Sequence, residues 1–307
     1  MGLPRAARRS PKTRAAALSI VSTSSLIALK VAAAAITGSI AILTEAIHSS
    51  IDLVAAVIAF LSVRVADEPA DASHPYGHQK VENLAAAIEG MLILVGAGVI
   101  VFESARRLVG TAQVDRLGVG VAVIAISTVA NLAVSTYLYR RARLTESAAL
   151  EGDAAHLRTD AATSAGVLLA LVLVGVTGVE KLDPITALLV AVAIVVAGVR
   201  ILTRSSRVLV DEALPESEME ALRDAIAQHG ADEVIGFHKL RARRAGNRRY
   251  VDVHVQFRDG TTLKRAHDVT HELERSIRAR LRGADVLIHL EPEEAAKRPR
   301  GEPPDDG

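Results

Sequence analysis

The sequence predicts a multi-pass α-helical membrane protein of six transmembrane helices, followed by a small α+β domain. Three observations predict it. Half of the 307 residues are hydrophobic, yet only 3% are aromatic and none is tryptophan, so the apolar content is mostly Ala, Val, Leu and Ile. That content arrives in blocks of roughly 20 residues or more, the length a bilayer core requires. After about residue 208 the blocks stop, and helical and alternating patterns of ordinary length replace them.

Residues 1–14 carry Arg5, Arg8, Arg9, Lys12 and Arg14 and form a basic N-terminus. A basic leader before an apolar stretch also fits a signal peptide, but the segment that follows is too long and contains Ser22 to Ser25 and Lys30. The membrane domain, 15–207, holds candidate spans at 15–37, 39–63, 84–109, 117–138, 155–178 and 184–203. The sixth is expected to open on Asp183 as a cap, with Pro184 at the first helical position.

Loop charge orients these spans. The basic N-terminus, the Arg140, Arg141 and Arg143 cluster, and Arg200, Arg204 and Arg207 all fall on one side, which is read as cytoplasmic. Arg106, Arg107 and Arg116 fall on the other side. A topology with both termini inside fits best.

Residues 208–292 read as an αββαβ domain on the cytoplasmic side. Residues 216–229 have helical periodicity, with Gly230 where a C-cap belongs. Strand-like runs around 233–243 and 248–258 join through Ala245-Gly246-Asn247. A helix over about 262–282 carries Leu263, Val269, Leu273, Ile277 and Leu281 along one side, and a last strand covers 285–291. The polar, proline-rich residues 293–307 read as a disordered tail.

A formal net charge of +1 gives no support for nucleic acid as a partner. With no cysteine in the chain, disulfides and thiolate metal sites are excluded. Metal ligands must then come from histidine and carboxylate.

Those residues recur in a pattern. "HSSID" (His48 to Asp52) and "HLRTD" (His156 to Asp160) place the same pair at the same spacing, in or at the start of apolar segments. Residues four apart on a helix differ by about 40° and about 6 Å in rise, so each pair shares one face. Two such faces opposed would offer two nitrogens and two oxygens, the donor set of a four-coordinate Zn²⁺ site. One such pair alone reads equally as an interfacial residue reaching toward headgroups. Two pairs, in a chain with ten histidines, weigh against that. Charge supports the metal reading: two aspartates and one M²⁺ sum to zero, and emptying the site leaves a repulsion that protons relieve.

The loop after the second span adds Asp71, His74 and His78, although Pro75 argues against a regular helix there. In the tail domain, alternation puts Val251, Val253, Val255 and Phe257 on one strand face and Asp252 and His254 on the other. His289 and Glu291 likewise lie opposite Val286, Ile288 and Leu290, and His267 and His271 lie off their helix's apolar stripe. The plain alternative for these five tail histidines, His238 included, is a solvated surface.

Beyond these spacings the chain resembles the cation diffusion facilitator transporters from about residue 15 to 292. The stretches that carry it are "TGSIAILTEAIHSSIDL", "PADASHPYGHQKVENL", "EGDAAHLRTDAATS", "KLDPITALL" and the "HKLRAR…VDVHV…RAHD…LIHLEP" pattern of the tail. The resemblance implies a transport site at His48, Asp52, His156 and Asp160, and a loop site at Asp71, His74 and His78. It also implies a cytoplasmic site at His238, His254, His267, His289 and Glu291, the last standing where some relatives have Asp. It further implies a homodimer, a ferredoxin-like (metallochaperone-like) tail domain, and a charge interlock of Lys80 with Asp211. Histidine in both transmembrane pairs resembles the zinc-preferring members, while His271 and Glu89 stay unassigned.

The expectation is therefore a homodimeric inner-membrane protein that exports Zn²⁺ from the cytoplasm against protons. Zn²⁺ serves as substrate and as regulatory ligand, and membrane lipid is the surrounding partner. Alternatives are Cd²⁺, Co²⁺, Fe²⁺ or Mn²⁺ as main substrate, a membrane zinc hydrolase with Glu89 as base, and a metal sensor without transport.

Overall fold

The computed structural model describes residues 10–293 apart from 39, 110–117, 180 and 229–231. Arg116, the Gly230 cap and the 294–307 part of the expected tail lie outside those residues, as do residues 1–9. The chain forms two compact units, Met1–Leu209 and Val210–Gly307.

The first unit contains α1 (Pro11–Thr37), α2 (Ile40–Ala66), α3 (Lys80–Val109), α4 (Gly118–Thr145), α5 (Ala148–Thr177) and α6 (Leu182–Leu209). Among the described residues, six helices are long and apolar enough to cross a membrane. Local chemistry sets their ends. Ser10 caps α1 by accepting the Thr13 N–H at 3.2 Å, and Pro11 takes the first helical position. Gly38, at φ 65, ends that helix by donating its N–H to the Ala34 carbonyl at 2.8 Å. Ser147 and Gly178 bracket α5 in the same way.

Several helices outrun the expected spans. α4 continues to Thr145 rather than 138, α6 to Leu209 rather than 203, and α5 begins at Ala148 rather than 155. Hydropathy registers only the lipid-facing stretch, whereas good helix formers such as Ala149, Leu150 and Glu151 extend the helix beyond it. His156 consequently sits two turns inside α5 and not at its mouth. The expected opening of α6 is also corrected. Ile185 donates to the Lys181 carbonyl at 3.3 Å, so Asp183 and Pro184 both lie within the first turn. First-turn N–H groups have no helical partner, which makes proline harmless there.

α1 packs along α2, α3 along α6 and α4 along α5, with α1–α4, α5–α6 and α3–α5 contacts closing the bundle. The contacts rest on small residues: Ala15, Ala16, Ala59, Ala85, Ala142, Ala149 and Ala154 surround Leu138 and Leu150. Between α3 and α6, a Cβ on Gly90 would stand 3.0 Å from the Leu202 nitrogen, so only glycine lets these backbones approach so closely. Large apolar side chains such as Val95, Phe102, Val129, Val172 and Leu189 point outward, as a lipid solvent permits.

The second unit runs α7 (Glu216–Ala227), β1 (Val234–Ala245), β2 (Arg248–Phe257), α8 (Leu263–Arg280) and β3 (Ala284–Pro292). The sheet order is β1-β2-β3. β1 and β2 are antiparallel across a tight Gly246-Asn247 turn, while β3 joins β2 in parallel after the α8 crossover. Alternation decides the faces. Val251, Val253, Val255 and Phe257 are buried with Val286 against Leu222, Ile226, Val269, Leu273 and Ile277. Asp252, His254 and Gln256 are thereby left on the open face. A bulge interrupts β1 between His238 and Arg241, with Lys239 at φ 48. The extra residue lets Phe237, Leu240 and Ala242 all meet the core while His238 stays on the open face.

Candidate metal centres

Inside the helical unit, α2 contributes His48 and Asp52 and α5 contributes His156 and Asp160. His156 Nε2 stands 3.2 Å from Asp52 Oδ1 and 3.9 Å from Asp160 Oδ2. Ligand atoms of His48, Asp52 and Asp160 lie within 4.8 Å of one another. The two sequence pairs therefore converge, one turn of each helix facing the other. Asp52 is 7% exposed and His156 8%. Among the described residues, His156 Nδ1 and Asp160 Oδ2 are buried with no hydrogen-bond partner. Buried unpaired acceptors cost about 1–3 kcal/mol each, and coordination of a cation is the interaction that suits carboxylates and imidazoles so disposed. Lys30 of α1 is buried beside this turn, donating to Ser49 Oγ at 2.8 Å and to Glu45 Oε2 at 3.1 Å.

One turn from His156 along α5 lies a second polar layer, of which the sequence reading named Glu89 but not Asp153. Asp153 is buried and accepts from Ser19 Oγ of α1 at 3.0 Å. Glu89 of α3 is fully buried, and neither of its oxygens has a hydrogen-bond partner among the described residues. Its carboxyl lies against the backbone of α5, where a Cβ on Gly152 would stand 2.0 Å from Glu89 Oε2. The available signal was the spacing Asp153, His156, Asp160, which keeps three ionisable groups on one helix face. Further along, Glu82 accepts from Lys12 at 2.8 Å and from Ser147, tying α1, α3 and α5 together.

The loop residues Asp71, His74 and His78 also meet. A turn closed by Gly77 N–H on the His74 carbonyl at 2.9 Å, with Pro75 inside it, folds His78 back over His74. His78 Nε2 is 3.1 Å from His74 Nδ1 and 3.4 Å from Asp71 Oδ2. The Ser73 hydroxyl and then the His74 backbone N–H hold the Asp71 carboxyl down at about 2. Asp71 is thus an ionised carboxylate throughout the neutral range.

In the tail unit the register aligns His238 with His254, and His254 with His289, in one row across the three strands. Glu291 spans two of them: Oε2 is 2.5 Å from His238 Nε2 and Oε1 is 2.5 Å from His254 Nδ1. Partial burial alone would raise the Glu291 carboxyl, but its bonds from His254 and His238 leave it below the usual range. The His289 ring lies 4.6 Å from that of His254. His267 is not part of this group: it lies on α8, in the helical layer, with its Nε2 3.0 Å from that of His271. His271 in turn faces Glu274 at 3.5 Å.

Residues 16–210 match the family model described as the cation efflux transmembrane domain, and residues 214–293 match that of the cation efflux protein cytoplasmic domain. The chain is 36% identical over 282 residues to the uncharacterized transporter sll1263 of Synechocystis sp., covering 92% of this chain and 91% of that one. It is 31% identical over 280 residues to the cation-efflux pump FieF of Salmonella paratyphi A, covering 91% of this chain and 92% of the pump. A solved structure of CzrB in its zinc form is 34% identical over 29% of this chain and 99% of its own, with a TM-score of 0.27.

Proposed function

Because the chain belongs to the cation diffusion facilitator family of cation-efflux transporters, we propose that it exports Zn²⁺ from the cytoplasm in exchange for protons, held in transit by His48, Asp52, His156 and Asp160. The observation that carries this reading is the 3.2 Å approach of Asp52 on α2 to His156 on α5 inside a helical bundle. Two imidazole nitrogens and two carboxylate oxygens suit tetrahedral zinc, whereas Mn²⁺ prefers oxygen donors. Two carboxylates also cancel the ion's charge, so the loaded site presents no bare charge to its low-dielectric surroundings. When the metal leaves, protons take its place between like charges.

The remaining clusters have subsidiary roles in this reading. Asp71, His74 and His78 hold divalent metal at the loop. The tail row of His238, His254 and His289 with Glu291 takes regulatory Zn²⁺, without His267, which lies on α8 beside His271. The working unit is a homodimer in a bacterial inner membrane, with both termini in the cytoplasm, a topology supported by the arginine clusters at the ends of α4 and α6. The hydrolase alternative falls away, since the family consists of transporters.

Reconstitution into sealed vesicles with an enclosed pH-sensitive dye tests this against Zn²⁺, Cd²⁺, Co²⁺, Fe²⁺ and Mn²⁺. Proton counterflow largest with Zn²⁺ is the expected result. Metal flux without proton movement removes the exchange, and binding without flux makes the protein a sensor.

A further inference from the structure

A cavity of about 590 Å³ opens between α4, α5 and α6, and none of the four proposed transport-site residues lines it. Its walls carry Arg143, Arg158, Arg200 and Arg204 against the single carboxylate of Glu151. That charge balance repels a divalent cation and attracts an anion, so the cavity is not the metal's path.

The charges are layered by depth. α5 and α6 run antiparallel here, and Arg204 pairs with Glu151 at 2.5 Å, which fixes both helices at one level. Helical rise then puts Arg200 about 6 Å and Arg158 about 10 Å farther in. Ala162 on α5 and Ala193 on α6 lie about 16 Å in, at matching depth, and with Ile194 and Ala197 they make the inner half apolar. Two of the arginines have partners that fix them without consuming the site: Glu151 for Arg204, and the Tyr139 ring, 4.6 Å beneath the Arg158 guanidinium. Among the described residues Arg143 and Arg200 have no ion-pair or hydrogen-bond partner, and both are exposed.

We propose that this cavity binds one anionic phospholipid, its phosphate held by Arg143, Arg158, Arg200 and Arg204 and an acyl chain laid along the alanine-lined inner half. Arginine suits the phosphate because its planar fork donates two parallel hydrogen bonds. A soluble phosphate would satisfy the outer half and leave the inner half unused. Basic pockets between transmembrane helices on the cytoplasmic side are where anionic headgroups dock.

The test uses the full chain purified in detergent, with phosphatidylglycerol, phosphatidylcholine and inorganic phosphate as probes. Native mass spectrometry and thermal unfolding are the readouts. The Arg143→Gln/Arg200→Gln variant breaks no internal bond, so it should fold as the parent does. The expected result is a retained phosphatidylglycerol adduct and a raised Tm in the parent, with binding about thirtyfold weaker in the variant, the factor that two lost surface charges represent. Equal retention of phosphatidylcholine, protection by inorganic phosphate alone, or undiminished phosphatidylglycerol binding in the variant would each overturn the proposal. Should the variant fail to fold, an absence of phosphatidylglycerol preference in the parent itself decides against it.

Discussion

Asp52→Asn isolates charge from shape at the proposed transport site. The asparagine keeps an oxygen where Asp52 Oδ1 stands 3.2 Å from His156 Nε2, so the contact between α2 and α5 survives. What changes is the sum: one carboxylate, two neutral imidazoles and M²⁺ leave the loaded site at +1 where the parent is neutral. Lys30 does not compensate by moving, because Glu45 and Ser49 already hold its ammonium. A net charge at the middle of a membrane helix costs about 2.5–3.5 kcal/mol. At about 1.4 kcal/mol per decade, apparent zinc affinity falls on the order of a hundredfold. The assay is flux into sealed vesicles against free zinc, since total binding would also count the loop and tail clusters. Half-saturation within a fewfold of the parent, at similar maximal flux, would refute the charge-balance argument.

Four further outcomes are expected. His48→Asp should broaden the metal range toward Cd²⁺ or Mn²⁺, because a hard oxygen replaces a borderline nitrogen; an unchanged preference series counts against His48 as a ligand. Gly152→Ala drives a methyl to 2.0 Å from Glu89 Oε2; overpacking of about 1–3 kcal/mol less about 1 from helix propensity leaves a net loss of up to about 2 kcal/mol. Gly96→Ala, with nothing within 4 Å, should not lose stability, and equal melting of the two variants would contradict this packing. Ser73→Ala removes the largest cause of Asp71's shift, so the carboxyl should move up from about 2 in an NMR titration. Because the folded value lies below the ordinary one, Asp71 stabilises the fold above the usual carboxylate range, and that contribution is lost as pH falls through about 2. His254→Ala with His289→Ala should raise the free zinc needed for half-maximal flux without abolishing it; an unshifted curve makes the histidine row plain surface.

The elements that sequence reading reached are those whose signal is local. Repeated four-residue spacing gave His48 with Asp52 and His156 with Asp160, and period-two alternation gave the faces of β2 and β3. Helix ends were harder, since hydropathy is blind to turns beyond the lipid, although Ser10-Pro11 and Ser147 were readable capping signals. The bulge at Lys239 left no mark, as nothing in "HKL" announces a left-handed residue. Tertiary convergence was least legible. Glu89 lies near Gly152 only because α3 crosses α5, and the four arginines of the cavity come from three helices.

The histidine row carries a consequence for how such a chain can vary over generations. His238, His254 and His289 line up only because strand register is counted in whole residues. A single inserted residue that shifted β3 by one would send His289 and Glu291 into the core and turn Val286, Ile288 and Leu290 out to water. Such a mutant loses the fold itself, so inheritance of the fold and inheritance of this histidine row are one event. The loop residues Asp71, His74 and His78 have no such guard. Their alignment depends on one short turn, and a deletion there can silence the cluster in a protein that still folds. Lineages should therefore lose or remake the loop cluster freely while the strand histidines persist wherever the domain does.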